Sequence, residues 1–580
     1  MDNQRLILMV ALFMVAFLLW DAWQKDYGPQ RQTASTPPSQ ATTATPQVPA
    51  VGPINAAPGV QTAPILPQNL TVAPTTVTQP RELIQVITDI YDISIDSLGG
   101  NIVRVDLLKY PVTVENPNEP FHLMFNKNLE FYIAQSGLDV APGSGSPAPT
   151  YDTVFRSEKT HYRMADNSNE LSVPLTWQDA SGVKITKNYR FVRGRYSIDV
   201  DHLVENQSAM PWTGQMYMQL RRTEATDSNF LMPTYTGGGI YKEESFEKLA
   251  FSDIKSAAEK PKNGQIYYIN EPLNNGWLGL IQHYFVSAWI PPAQVQHHYQ
   301  AFYNQPVAGL NQIPVADYII RAASPLIAIS PQQQQRFTAQ LYAGPKIQTQ
   351  LEQAAPGLLL TVDYGVLTPL SQPLFWLMDK IHSVVKNWGW SIVILTLMIK
   401  LVFYKLSEAS YRSMANMKRL QPRIVSLKER YGDDRQRMSQ AMMELYKKEK
   451  FNPLGGCLPI LVQIPVFLAL YWVLLESVEL RQAPFMFWIK DLSTKDPFYV
   501  LPLLMGITMF LQQKLNPPQM DPLHQKIMSF LPVIFTLFIA FFPSGLVLYW
   551  VANNVLSIAQ QWLITRRMDK LAASKSSSSS

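Results

Sequence analysis

The stretch NWGWSIVILTLMIKLVFYKL, Asn387–Leu406, decides how this chain is read. It is apolar enough to lie in a membrane, yet Lys400 sits well inside it and Lys405 marks its end. A charge at that depth costs roughly 2.5–3.5 kcal/mol on insertion scales. Thr396 lies four residues before Lys400, on the same helical face. Two fates are open to the ammonium. It lines a wet cavity among helices, or it snorkels, because Lys405 is only roughly 7 Å further along the axis.

Working outward, four more apolar stretches follow. They are Cys457–Val478 with Pro459, Gln463 and Pro465, Phe498–Gln513, Ile527–Phe541, and Gly545–Ile564 with Asn553 and Asn554. With Leu6–Trp20, read as an uncleaved helix because no small-x-small site follows it, the sequence predicts six spans. Residues 387–565 form a helical core. Phe498–Gln513 and Ile527–Phe541 are short, which calls for a thin or deformed bilayer. Gln463 and the asparagine pair either join the lining of a cavity or bond neighbouring helices.

Charge sets the orientation. Segment 407–456 carries Arg419, Arg423, Lys428, Arg430, Arg435 and Arg437 among other cations, while the loop Glu479–Pro497 is nearly balanced. Both termini are expected in the cytoplasm and the large domain outside. Met414, Met417, Leu420, Ile424 and Leu427, then Met438, Met442 and Leu445, recur at helical spacing on either side of Gly432. This predicts a helical hairpin with one apolar seam and basic outer faces. Its six named cations form a docking surface for a ribosome, anionic lipids or a nascent chain, or simply a solvated face obeying charge asymmetry.

The remaining chain divides by composition. Residues 1–27 hold the first helix, and 28–80 form a Pro/Thr/Gln-rich tether too poor in apolar residues to fold. Residues 81–345 alternate in short strands, as at Tyr91–Asp96 before the Gly99-Gly100 turn, and read as an all-β sandwich. Residues 357–385 read as an amphipathic helix in the outer interface. Residues 566–580 form a basic, serine-rich tail. The 580 residues carry a net charge of +5 and one cysteine, Cys457, so no internal disulfide exists. No metal-ligand pattern, phosphate-binding loop or nucleophile motif is present, and no sequence-specific nucleic-acid motif. The expectation is a non-enzyme without cofactor, metal or catalytic residues. A solute transporter, or an outer domain acting on cell-wall sugars, are the rivals; no internal repeat favours the first.

From about Asp363 onward the sequence resembles the YidC/Oxa/Alb family of membrane protein insertases. The carrying residues are DYGVLTPLSQPLF (363–375), LQPRIVSLKERYGDDRQRMSQAMMELYKKEKFNPLGGCLPILVQIPVFLALY (420–471), VELRQAPF (478–485) and FPSGLVLYW (542–550). The N-terminal helix, tether and β region match the Gram-negative form of the family in order and size. The resemblance implies a periplasmic β-supersandwich and an inner-membrane helical core with a hydrophilic groove open to the cytoplasm and lipid. It implies that Lys400 stands where the family has an arginine that attracts acidic client segments, keeping the charge but losing the fork of donors. Thr396 and Gln463 match groove residues, and Trp550 replaces a groove tyrosine. Pro465, Phe467 and Phe538 match the apolar slide by which client helices leave for lipid. Lys405 stands where the family has proline. The implied partners are nascent inner-membrane proteins, the Sec translocon, membrane lipids and, more weakly, the ribosome.

Overall fold

The computed structural model describes residues 81–127, 129–150, 153–224, 234–261, 264–304, 315–432, 434–449, 458–515 and 522–577. The expected first helix (1–27), the tether (28–80) and Cys457 lie outside these residues, as do the side chains of Lys428 and Arg435.

Alternating burial builds the first half. In the strand Val183–Val192 every second residue is buried, and Ser197–Asn206 repeats the pattern beside it. One face therefore goes to the core and the other to water or a neighbour. Two sheets result, of eleven and eight strands. The smaller runs Ser245–Leu249, Thr236–Lys242, Trp277–Gln282, Phe285–Ile290, Gln333–Pro345, Ser197–Asn206, Val183–Val192, Glu170–Gln178. The larger begins at the edge strand Tyr267–Leu273 and ends at His161–Arg163, which pairs in parallel with Leu83–Ile87. The other strand pairs described are antiparallel.

A shared core holds the sheets together. Trp212, Trp277, Trp289, Tyr91 and Tyr132 are among its largest fully buried side chains. Each large apolar side chain contributes roughly 1.5–3 kcal/mol on burial. The polar atoms of the three indoles and of Tyr91 are placed as well. Trp289 Nε1 donates to Gln219 O at 3.0 Å, and Tyr91 OH to Ala343 O at 2.6 Å, each across to the other sheet. The Gly99-Gly100 turn takes positive φ at both residues, 70° and 58°. One helix, α1 (Phe251–Glu259), packs on the larger sheet through Phe251 and Ile254.

After Pro345 the chain is helical. It runs through α2 (Gln348–Ala354), two 3-10 turns (Leu358–Thr361 and Gly365–Leu367), α3 (Thr368–Val385) and α4 (Trp388–Val402). Then come α5 (Tyr404–Tyr431), α6 (Arg435–Lys448), α7 (Leu458–Glu476), α8 (Val500–Leu515), α9 (Pro522–Ile539) and α10 (Ser544–Ser577). Left-handed Gly357 opens the first turn, where a β-carbon would overlap the Tyr241 ring. α10 packs on α4, α5 and α8, and α3 packs on α4 and α7.

Among the described residues the expected spans are not each one continuous apolar helix. Among the described residues no single helix is long and apolar enough to cross a membrane. Residues 390–406 are not one helix. α4 stops at Val402, Phe403 takes φ −87° and ψ 12°, and α5 continues at 69° to it. Only the bent pair Trp388–Val402 and Tyr404–Met417 meets the length and composition of a span together. Val462–Glu476, Val500–Leu515 and Ser529–Ile539 are shorter apolar helices. α10 is long, but Asn553, Asn554, Gln560 and Gln561 dilute its apolar content.

Candidate functional site

α4 has two faces, and its spacing fixes them. Ile392, Leu395, Thr396 and Lys400 are buried, while Leu397, Met398, Leu401 and Val402 are exposed. The helix starts cleanly because the Asn387 side chain accepts from Trp390 N at 3.0 Å. The same side chain donates to Phe485 O at 2.9 Å, tying α4 to the loop after α7.

Lys400 turns inward. It is 9% exposed, and Nζ donates to Ser557 Oγ of α10 at 2.8 Å. Ser557 in turn donates to Asn553 O at 2.6 Å. Among the described residues no carboxylate pairs with this ammonium, so its charge is only hydrogen-bonded, not neutralised. Lys405 belongs to α5, points outward and lies 3.7 Å from Glu408. Thr396 donates to Ile392 O of its own helix at 2.6 Å.

α10 supplies more polar groups than Asn553 and Asn554. Asn554 donates to Thr508 Oγ1 of α8 at 3.2 Å, and Gln561 to Leu515 O at 3.4 Å. The Gln560 amide is buried with neither atom hydrogen-bonded. Ser407 and Ser410 of α5 are buried too. The spacing Trp550, Asn554, Ser557, Gln561 is a helical stripe, a signal that reading residues singly overlooks.

The remaining expected groove residues are aromatic or apart. Trp550 meets Phe467 of α7 at 4.8 Å and Phe535 of α9 at 5.3 Å between ring centroids. It lies seven residues from Ser557, roughly 10 Å along α10. Gln463 is half-buried and Pro465 exposed on α7. Phe538 is 51% exposed and packs on Phe542 at 5.0 Å. The outer surfaces of α7, α8 and α9 carry exposed Val462, Ile464, Leu503, Ile507, Phe530 and Ile534.

α5 and α6 pack on each other through a seam that buries Leu420 and Ile424. Asp434 caps α6, accepting from Gln436 N and Arg437 N at 3.1 and 3.0 Å. Arg423 pairs with Glu449 at 2.5 Å, and exposed Arg437 lies 3.3 Å from Asp434.

Sequence reading missed a second polar set, where the β region meets the end of α7. Lys346, 1% exposed, donates to Glu476 Oε2 at 3.3 Å and Thr361 O at 3.1 Å. Gln348 donates to Tyr364 OH at 2.7 Å. Arg481 donates to Pro111 O at 2.7 Å, and Lys248 pairs with Asp363. Burial, helped by the charge of Lys346, pushes His283 down to about 3, so the neutral ring donates through Nε2 to Leu475 O at 3.2 Å. Burial pushes Glu479 up to about 7 against the pull of backbone N–H groups. Among the described residues no His, Cys, Asp and Glu cluster could hold a metal.

Comparison with known proteins covers nearly the whole chain. The family described as "60Kd inner membrane protein" matches residues 380–571, and "YidC periplasmic domain" matches residues 83–377. A protein of Thioalkalivibrio sulfidiphilus named "Membrane protein insertase YidC" is 50% identical over 98% of this chain and 99% of its own length. Proteins of the same name from Nitrosococcus oceani and Methylococcus capsulatus are each 48% identical, over 98% and 99% of this chain and all of their own lengths. These relatives are named insertases, not enzymes.

Proposed function

This chain belongs to the YidC family of membrane protein insertases, and from that premise we propose that it inserts and helps fold inner-membrane proteins, alone or with the Sec translocon. The observation that carries the mechanism is an inside-out distribution of polarity. A buried ammonium, hydroxyls and amides lie between α4, α5, α8 and α10, while the outer faces of α7, α8 and α9 are apolar.

In this reading the six spans include the N-terminal helix, both termini are cytoplasmic and the β region is periplasmic. A client's polar tail enters a groove lined by Lys400, Thr396, Gln463 and Trp550. Wet polar surface partway across a thinned bilayer shortens the apolar barrier. Lys400 offsets part of the cost of an acidic tail, since its hydroxyl partner leaves the positive charge uncancelled. The client's apolar helix then leaves along Pro465, Phe467 and Phe538 into lipid. About 25 cal/mol per Å² of apolar area drives that step, and no nucleotide is needed. Arg419, Arg423, Lys428, Arg430, Arg435 and Arg437 of the hairpin meet the ribosome and anionic lipid headgroups.

The test is reconstitution of the purified protein in liposomes without Sec components or nucleotide. A small client with an acidic N-terminal tail should gain a protease-protected tail in proportion to the insertase present. No protection above protein-free liposomes would remove autonomous insertion.

A further inference from the structure

The loop after α7, residues 477–499, covers one end of the helix bundle. Phe485 packs on Gly389 of α4, Leu492 O accepts from Gly545 N of α10 at 2.9 Å, and Thr494 O accepts from Ser544 N at 2.7 Å. Two places on its surface carry a double cost. Phe487 takes φ 55° and is 81% exposed. Tyr499 takes φ 56°, is 42% exposed, and follows Phe498, which is 68% exposed. Left-handed backbone is strained for a bulky residue, and glycine or asparagine bears it best. Each ring also forgoes the burial that an aromatic side chain normally gains. The two places are tied together: buried Asp496 accepts at Oδ1 from both Trp488 Nε1 and Phe498 N, each at 3.0 Å, and Trp488 stacks on Phe487.

Charge follows the rings. Of the loop's three carboxylates, Asp496 is buried and Asp491 accepts from Gln482 N and Ser493 N at 2.9 and 2.8 Å. The third, Glu479, is pushed towards its neutral form by burial. Lys490 and Lys495 are exposed, and Lys495 Nζ sits 5.9 Å from the Tyr499 ring centroid. Nearly balanced by count, the loop is cationic and aromatic where it meets its surroundings.

We propose that this loop docks on a lipid surface, with Phe487, Phe498 and Tyr499 in the boundary between headgroups and acyl chains and Lys490 and Lys495 at the phosphates. Rings with one wet edge and lysines on long stems are the side chains that such a boundary accommodates. Burying the rings there offsets the strain and exposure that water leaves uncompensated. This docking rests on the insertase reading, which puts the helices in a membrane and the loop at the outer leaflet. Continuity favours lipid over a protein partner. Phe498 and Tyr499 run directly into α8, whose exposed Leu503, Leu504 and Ile507 extend the same apolar surface along the helix.

Spin labelling of the full-length protein in vesicles of phosphatidylethanolamine and phosphatidylglycerol tests this, in a Cys457→Ser background. Labels at Phe487→Cys and Phe498→Cys should show a ratio of oxygen to nickel-chelate accessibility severalfold above that at Met210→Cys, an exposed site on the β region. A ratio equal to the Met210 value would overturn the proposal. So would labels shielded from both reagents, the sign that a second copy covers the loop. Phe487→Asn supplies an independent test by sign. Asparagine suits left-handed backbone, so this substitution raises the thermal midpoint if the ring stands in water and lowers it if the ring is lodged in lipid. A lower midpoint in vesicles is expected, and an equal or higher one would overturn the docking. Neither measurement uses a client. Wet labels with client insertion intact remove this surface alone, and lipid-exposed labels without client insertion remove autonomous insertion alone.

Discussion

Lys400 and Ser557, 157 residues apart, meet at 2.8 Å, and the Ser557 hydroxyl in turn donates to Asn553 O. The ammonium thus points into the helix bundle and not along α4 towards Lys405. If it acts by charge, Lys400→Arg should retain insertion of an acidic tail and Lys400→Ala should slow it roughly tenfold or more, the worth of a hydrogen bond to a charged group. Ser557→Ala should have a smaller effect, because the charge remains. A client with a neutral tail should not distinguish these variants. Initial rates of protease protection make the comparison, and equal rates for Ala and the parent would exclude the charge mechanism.

Lys346 and Glu476 form a buried ion pair linking the last strand to the end of α7. Removing one partner strands a charge, which typically costs about 3–5 kcal/mol. Lys346→Met and Glu476→Leu should each lower the thermal midpoint clearly. The double substitution should recover most of the loss, since an apolar pair replaces an ionic one at little net cost. Thermal unfolding of the three variants closes the cycle. Additive losses would show that the two side chains are not coupled.

Glu479 gives the same junction a pH dependence. Burial raises its folded pKa to about 7, above the ordinary carboxylate value. Below the unfolded value both states hold the proton and the group is neutral in its effect. As pH rises towards 7 the unfolded chain releases its proton while the folded one retains it, so stability falls, by on the order of 3 kcal/mol in full. Glu479→Gln should remove this loss, so its advantage over the parent grows from pH 4.5 or so up to about 7. His283 works in the opposite sense. Held down to about 3, it lowers stability as pH falls below its ordinary value. Unfolding midpoints across this range, for parent and variant, would refute the assignment if the two curves ran parallel.

A strand's alternation can be read from its letters, because burial follows the pleat, and the β region was legible on that ground. Lys187 was not. It occupies an inward position in Val183–Val192, is 0% exposed, and donates to Ser136 O at 2.8 Å. Burial pushes its ammonium well below the ordinary lysine range. Its parity with Val183 and Ile185 points inward, unlike that of Lys184, which pairs with Glu205, but nothing in the local sequence supplies the distant carbonyl that accepts from it. Which strands neighbour one another, and the single parallel pairing, depend on contacts far apart in sequence. That Thr396 and Lys400 share one face of α4 was legible from their four-residue spacing; that this face turns inward was not, because Lys405 nearby left snorkelling open. The break at Phe403 was not, since no glycine or proline marks it. The junction residues were invisible for a simpler reason: Lys346, Glu476, Glu479 and Arg481 are ordinary loop and helix-end charges until the fold brings them together.

Gly389 governs how closely the helix bearing Lys400 approaches the loop after α7. A β-carbon there would overlap the Phe485 ring. The contact is confirmed on either side, by Asn387 bonding Phe485 O and by Trp390 stacking edge-on against Phe485 at 5.5 Å. Gly389→Ala must therefore displace the ring or the helix. Overpacking of this kind costs about 1–3 kcal/mol, more than the gain in helix propensity, which is at most about 1 kcal/mol. Lys400 lies eleven residues on, roughly 16 Å along the axis, so a tilt at the start alters its depth. The expected outcome is a lower thermal midpoint with slower insertion of acidic tails. Adding Phe485→Leu, which makes room for the methyl group, should restore both. If Gly389→Ala matched the parent in stability, the close approach would not constrain α4; if the second substitution failed to rescue, the Phe485 ring would not be what the methyl group meets.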